Sequence, residues 1–265
     1  MTPLADKIAV VTGAASGIGR SAALALARRG VRVVLSDINQ AGIDDATAAV
    51  AAGGGEAIAI AADVGRPEGM EIVRDAAVTR FGEVDIVMNN VGVLVSGRPE
   101  DIPLAEWERI INLNLMSVIR SVHLFIPGMI ARGSGHIVNT ASFAGLFAYA
   151  YDRLPYAASK AAIVALSEGL ALYLRPKGVG VTCLCPGPVK TAIGSTMKRW
   201  TPDLGLRGPG PQFAMLDPDD VGEMVADAIE RDRFFLPTDD QVREVMQRRA
   251  ADPDRFLDEQ IAAWS

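Results

Sequence analysis

Cysteine and histidine are scarce in this sequence, with two of each among 265 residues. Cys183 and Cys185 are separated by a single residue, a spacing that builds neither a disulfide framework nor a zinc ligand set. It fits a reducing compartment. His123 and His136 stand in no H-E-x-x-H or other ligand spacing, which argues against a zinc hydrolase, and no metal site is expected. Positive charge is also lacking. A formal net charge of −6 argues against a nucleic-acid partner, whose phosphates call for clustered Lys and Arg. The opening MTPLADKIAVVTG shows no basic region followed by a long apolar one, so no signal peptide is expected. The longest uncharged stretch, 133–151, is broken by Ser, His, Asn, Thr and Gly, and no membrane span is expected. No internal repeat or low-complexity tract occurs, and no Pro/Ser/Gly-rich linker comes before residue 186. A soluble, cytoplasmic protein is expected, with chain enough to bury a core without a staple.

What the sequence does contain is an alternation. Short β-branched runs at 7–12, 31–36, 56–61, 84–88, 135–140 and 179–184 alternate with helical stretches at 17–29, 40–52, 67–80, 103–130 and 155–174. The strand runs are almost continuously apolar, as strands buried on both faces must be. Strand, crossover helix and strand, repeated at least five times, predicts an α/β fold: a doubly wound parallel sheet of Rossmann type with helices on both faces. One domain is expected over 1–265. Residues 186–218 hold six of the 15 prolines, and the irregular part at about 188–216 is expected to be a lid or substrate loop. A further helix at 219–230, a strand at 233–236 and a charged helical tail follow. From Asp217 onward 14 acidic and 6 basic residues make an acidic tail, 217–265, expected to be a solvated face.

Thr12-Gly13-Ala14-Ala15-Ser16-Gly17-Ile18-Gly19 follows a strand and opens a helix. Glycines in that context meet three physical needs, which are a tight turn, a backbone bare enough to approach a pyrophosphate, and close packing of helix on strand. The helix N-terminus adds free N–H groups and partial positive charge. Three glycines alone would fit an ordinary small-residue turn equally well. A P-loop reading fails in its nearest register, which puts Ala14 at the first glycine and Arg20 at the lysine. A dinucleotide site instead requires an acidic residue at the end of the second strand, and Asp37 stands 18 residues after Gly19. Its carboxylate could accept from a ribose and would repel a 2′-phosphate. NAD is therefore expected over NADP.

The sequence resembles the single-domain short-chain dehydrogenase/reductase family from about residue 7 to 191. The motifs that carry the resemblance are TGAASGIG at 12–19, Asp63-Val64, Asn89-Asn90-Val91-Gly92, Asn114 in INLNL, Ser142 in IVNTAS, Tyr156-Ala-Ala-Ser-Lys160, and Pro186-Gly187 with Thr191. The resemblance implies four catalytic positions. Ser142 would hydrogen-bond the substrate oxygen, and Tyr156 would exchange its proton. Lys160 would hold the nicotinamide ribose and assist the tyrosine, while Asn114 would help hold a water linking Lys160 to solvent. For the cofactor it implies Gly13, Ser16, Gly17, Ile18 and Gly19 at the phosphates, Asp37 at the ribose, and Asp63 and Val64 at adenine. Asn90, Tyr156, Lys160, Pro186, Gly187, Val189 and Thr191 would line the rest of its site. The family also implies a homodimer or homotetramer. Here RFFLPTDD stands where relatives commonly end a strand in V-D-G-G, and Val91 stands where they commonly have Ala.

The chemistry can be argued without the family. Oxidising an alcohol by hydride transfer needs a base for the hydroxyl proton, and a nearby ammonium favours a phenolate. Positions i and i+4 share a helix face, so Tyr156 and Lys160 can point at one site. Tyr173 and Lys177 repeat that spacing, but they straddle Pro176 and lie 31 residues past Ser142, against 14 for Tyr156. Tyr173 is read as a helix-face packing residue. Tyr149 and Tyr151 are read as substrate-loop or interface residues, and Cys183, Cys185 and both histidines as structural. Five of the 15 aromatics fall within 143–156, and the lid is rich in Leu and Met, so a lipophilic substrate is expected. The expected function is an NAD-dependent oxidoreductase interconverting a lipophilic secondary alcohol and its ketone. The competing reading is a catalytically inactive dinucleotide-binding regulatory or scaffold protein, which leaves the complete Ser142, Tyr156 and Lys160 set unexplained.

Overall fold

The structure is a computed structural model that describes residues 3–264. Residues 1–2 and 265, the ends of the expected domain, lie outside the described residues. In chain order the elements are β1 (Ile8–Thr12), α1 (Gly17–Arg28), β2 (Arg32–Asp37), α2 (Gln40–Ala52), β3 (Ala57–Ala61), α3 (Pro67–Phe81) and β4 (Ile86–Asn89). Next come β5 (Val95–Ser96), α4 (Leu104–Ile111), α5 (Ser117–Arg132), β6 (Gly135–Thr140), α6 (Leu154–Leu174) and β7 (Val179–Cys185). The chain ends with β8 (Lys198–Arg199), α7 (Pro218–Glu230), β9 (Phe235–Pro237), α8 (Val242–Ala251) and α9 (Pro253–Ala262).

Seven strands form one parallel sheet in the order β3-β2-β1-β4-β6-β7-β9. The two-residue period of a strand sends alternate side chains to opposite faces. Ala9, Val11, Val33 and Leu35 join the core under α1, α2 and α7, while Ile8, Val10 and Val34 join the core under α3 and α5. Both faces of β1 and β2 are therefore buried, which is why their sequences are apolar without alternation. The strand order reverses between β1 and β4, so the crevice at their carboxyl ends is the natural ligand site of such a sheet.

Two helical stretches, Leu104–Arg132 and Leu154–Lys177, are long and apolar enough to cross a membrane by length and composition. In the fold, α5 buries Phe125 and Met129 in the core beneath the sheet, and α6 buries Ile163 and Leu174. Core packing accounts for part of that apolarity, since 33% of the most apolar window of each stretch is buried.

Three expectations change. The continuous helix over 103–130 is interrupted by a wide π-type turn, Asn112–Met116, between α4 and α5. The segment 188–216 is not wholly irregular: β8 within it pairs in parallel with β5. The acidic tail is more than a solvated face: Val242, Val245 and Phe256 are buried in a core with Phe143, Phe147 and Tyr149. Its apolar residues are spaced along one side of α8 and α9 among many charges, so net charge conceals them.

Candidate active site

At one end of the crevice the Gly-rich turn leaves bare backbone. Gly13 (φ +66°) and Gly17 (φ +53°) adopt left-handed conformations that favour glycine. A Cβ on Gly19 would come within 2.2 Å of the Gly13 carbonyl oxygen, so Gly19 serves the packing of α1 against the turn. Gly13, Ser16, Gly17 and Ile18 line the cleft itself, and Gly19 lies behind it. Ser16 precedes α1 without a side-chain capping bond, and no acidic residue occupies the first turn, which leaves the helix N-terminus suited to an anion.

Asp37 closes this end. Its Oδ2 accepts from the Ala15 N–H at 3.2 Å and its Oδ1 from the Asn39 N–H at 3.0 Å, so the carboxylate is tethered to the turn it faces. Asp63 is held by the Gly65 N–H at 2.9 Å and, with Val64, lines the adjoining wall. Asn90 braces the turn by donating from Nδ2 to the Thr12 carbonyl at 3.2 Å. Val91 lines the cleft beside it. On the opposite side Pro186, Gly187, Val189 and Thr191 follow β7. A Cβ on Gly187 would meet the Phe143 ring at 2.7 Å, which explains the glycine there.

The same cleft, about 720 Å³, continues to Ser142, Tyr156 and Lys160. Ser142 follows β6, and Tyr156 and Lys160 lie one turn apart on α6. Lys160 is 2% exposed, and its Nζ donates to the Thr140 carbonyl at 2.6 Å and lies 5.6 Å from the Tyr156 ring centroid. Burial pulls its pKa from 10.5 down to about 8. Burial raises the Tyr156 phenol above its ordinary value, while hydrogen bonding with Ser142 and the charge of Arg153 act in the opposite direction.

Asn114 does not line the cleft. It is 0% exposed in the π-type turn, where Oδ1 accepts from the Val93 N–H at 2.8 Å. Its Nδ2 donates to the Val93 carbonyl at 3.1 Å and to Ser159 Oγ at 3.0 Å. The side chain thus joins the loop after β4 to the helix that carries Tyr156. Such insertions in a helix recur where a functional residue must be re-aimed.

Tyr149 is buried in the cleft wall, and Tyr151 packs against Trp264 in a tilted contact with ring centroids 4.3 Å apart. Tyr173 is not a packing residue: it is half exposed, with Lys177 Nζ 3.8 Å above its ring. Cys183 and Cys185 are free, buried and 3.7 Å apart at sulfur. Among the described residues no group of three or more metal-ligating side chains occurs. Sequence reasoning missed Arg153, which lines the cleft between Tyr149 and Tyr156.

A family model described as short chain dehydrogenase matches residues 7–202. The chain belongs to the short-chain dehydrogenase/reductase family. Among relatives of this short-chain dehydrogenase is a cyclohexanol dehydrogenase of Acinetobacter sp. (strain SE19), 34% identical over 232 residues, 87% of this chain and 90% of that one. A 1-deoxy-11-beta-hydroxypentalenate dehydrogenase of Streptomyces exfoliatus is 34% identical over 243 residues, 91% of this chain and 86% of the relative. A crystal structure of a short-chain dehydrogenase/reductase from Burkholderia phymatum in complex with NAD superposes with a TM-score of 0.85 at 30% identity, covering 96% of each chain. As a family member this short-chain dehydrogenase is an oxidoreductase. The bare turn at Gly13 and Gly17, with a carboxylate tethered behind it, fits the nicotinamide dinucleotide that the family binds.

Proposed function

We propose that this short-chain dehydrogenase uses NAD to interconvert a lipophilic secondary alcohol and its ketone, with Tyr156 as general acid/base. The observation that carries the reading is one continuous cleft with the Gly-rich turn and Asp37 at one end and Ser142, Tyr156 and Lys160 at the other. Its substrate end is walled by Val93, Leu94, Phe143, Ile193 and Met215. That apolar wall supports a lipophilic substrate, and the cyclohexanol-oxidising relative supports a cyclic one.

When bound, NAD would supply the hydride acceptor and donor. The rest falls to the chain. Asp37 accepts hydrogen bonds from the adenosine ribose and repels a 2′-phosphate, with exposed Ile38 beside it carrying no compensating charge. Ser142 holds the substrate oxygen near the Tyr156 hydroxyl. Tyr156, kept protonated by burial, gives its proton to a ketone oxygen or, once ionised, takes one from an alcohol. One N–H of Lys160 is fixed on Thr140, which leaves two donors for a ribose hydroxyl and for the tyrosine side of the cleft. Asn114 holds the backbone around Val93 and ties it to Ser159, the residue before Lys160. The lid over 188–216, the single domain and the tail from 217 complete the proposed organisation. Two free thiols support a reducing, cytoplasmic setting, and the family resemblance supports a homodimer or homotetramer, to be measured by sedimentation.

Cyclohexanol and a panel of larger secondary alcohols, assayed with NAD and NADP, test this reading. Turnover with NAD and loss of at least about a thousandfold in Tyr156→Phe are expected, within the range of general acid/base contributions. Full activity in Tyr156→Phe would remove the tyrosine from its assigned role.

A further inference from the structure

Asp152 and Arg153 form an ion pair that stability alone does not explain. The Asp152 side chain is 0% exposed and that of Arg153 is 14% exposed. Arg153 Nε meets Oδ1 at 2.5 Å and Nη2 meets Oδ2 at 2.9 Å, a bidentate fork. Desolvating two charges commonly cancels what their attraction gains, so a buried pair is weak evidence of stabilisation. Its location points to another use. Arg153 stands immediately before α6, three residues ahead of Tyr156, and lines the cleft with it. Its Cζ lies 5.7 Å from the centroid of the Tyr149 ring. The pair also holds the lid: Nη2 donates to the Arg207 carbonyl at 2.8 Å, and the Arg207 N–H donates to Asp152 Oδ2 at 3.3 Å.

We propose that Arg153 is a further positioning residue of the reaction, a guanidinium clamped by buried Asp152 and the lid backbone so that its charge favours ionised Tyr156. The proposal rests on the reading of Tyr156 as the acid/base. Tyr149 is the other phenol beside Arg153; burial raises it to about 12 and raises Tyr156 as well, but only Tyr156 has Lys160 one turn further along its helix. Like Arg153 on Asp152, the other polar and charged groups of the cleft each have a partner or lie further off. Ser142 faces it from the turn after β6 and takes the Ala144 N–H, while Lys160 on its own helix is fixed on Thr140. Arg109, across the cleft on α4, is paired with Glu106. Arg249 on α8 is spent on the Leu146 carbonyl, and Cys183 and Cys185 lie on β7 toward Lys160. Arg153 differs from them in place: it stands at the N-cap of α6, three residues before Tyr156 and lining the same cleft, so its positive charge acts on the phenol. A planar fork held by three hydrogen bonds, from Nε and Nη2 to Asp152 and the Arg207 carbonyl, keeps its charge in one place, which a lysine at the same position could not do.

The test reads tyrosinate by ultraviolet difference absorbance, with Tyr156→Phe as the subtraction, at a fixed alkaline pH where circular dichroism shows the fold intact. Arg153→Met should lower the Tyr156 tyrosinate population up to about tenfold, one pH unit, with a smaller loss in Arg153→Lys. The double variant Asp152→Asn/Arg153→Met avoids a lone buried carboxylate and should show the same direction. In alcohol oxidation the acidic limb of the kcat profile should move to higher pH by the same amount. An unchanged tyrosinate population in both the single and the double variant, with only KM or Tm altered, would overturn the proposal and leave Arg153 a lid anchor. Because the absorbance needs no turnover, failure of every alcohol substrate would count against the proposed function and leave this measurement to judge Arg153.

Discussion

Lys160 Nζ lies 2.6 Å from the carbonyl oxygen of Thr140, the last residue of β6. This bond joins the end of a central strand to the middle of the reactive face of α6. It is made possible by Gly145, where a Cβ would come within 2.6 Å of the Lys160 carbonyl carbon. The ammonium is thereby fixed below Tyr156 rather than free to follow solvent.

That buried ammonium has a measurable signature in stability. The folded-state pKa, about 8, lies below the ordinary 10.5. Below about pH 8 the folded state carries the full cost of a desolvated charge. Between about 8 and 10.5 the unfolded chain binds more protons than the folded one, so this group makes unfolding harder as pH rises. Lys160→Met should lack that rise, and the difference between the two unfolding curves should approach about 3 kcal/mol across the window. Urea denaturation at a series of pH values measures it, and parallel curves would contradict the expectation.

His136 predicts the opposite limb. It is buried, and its Nε2 lies 2.8 Å from Thr182 Oγ1. Since Thr182 donates its own hydrogen to the Arg233 carbonyl, Nε2 carries the proton and donates to Oγ1. Burial, with the Arg175 charge, lowers the ring's pKa from 6.5 to about 3. As pH falls below 6.5 the unfolded chain takes up a proton that the folded one refuses, so stability is lost progressively toward about pH 3. His136→Gln should flatten this part of the acid unfolding curve by several kcal/mol. Equal acid midpoints in the two proteins would show that the ring is not held neutral.

Cofactor choice is expected to turn on Asp37. Asp37→Ser removes the charge that would meet a 2′-phosphate and should shift the NADP-to-NAD ratio of kcat/KM by roughly ten- to a hundredfold toward NADP, on the scale of one close charge pair. The variant also gives up the bond to the Ala15 N–H, so affinity for NAD should fall as well. A ratio that stays put would move the source of selectivity elsewhere in the cleft.

Two glycines on helices should respond with opposite signs. Gly19→Ala forces a Cβ within 2.2 Å of the Gly13 carbonyl and 2.6 Å of Asn90 Nδ2, backbone and side chain with nowhere to retreat. It should cost several kcal/mol and the dinucleotide site with it. Gly169, on the exposed side of α6, has nothing within 4 Å of its would-be Cβ. Gly169→Ala should therefore raise stability by up to about 1 kcal/mol. Thermal unfolding of both variants separates steric need from mere tolerance.

The features legible in the sequence are those set by neighbours along the chain. The apolar runs of β1 and β2, the glycines of the turn, and the i, i+4 relation of Tyr156 to Lys160 each depend on a local period or a local steric demand. Asp37 was legible because a strand's length fixes where its carboxyl end falls. The π-type turn at Asn114 was not, since one extra residue in a helical turn leaves an apolar pattern nearly unchanged. Tyr173 misled for a related reason: spacing identifies a helix face without saying whether anything covers it.

The family resemblance singled out Ser142, Tyr156 and Lys160; by itself, then, the sequence determined the doubly wound sheet and its Gly-rich turn. These follow from backbone geometry and from periodic burial, which nearest neighbours already express. Only the tertiary structure decided what lies around them. Trp264 packs against Tyr151 and donates from Nε1 to the Tyr149 carbonyl at 3.2 Å across 115 residues of sequence. Asp152 and Arg153 sit side by side in the chain like any surface pair, yet the fold buries them and bonds them to the Arg207 backbone. A charge's effect depends on the dielectric and the partners that folding places around it, and no local pattern records either.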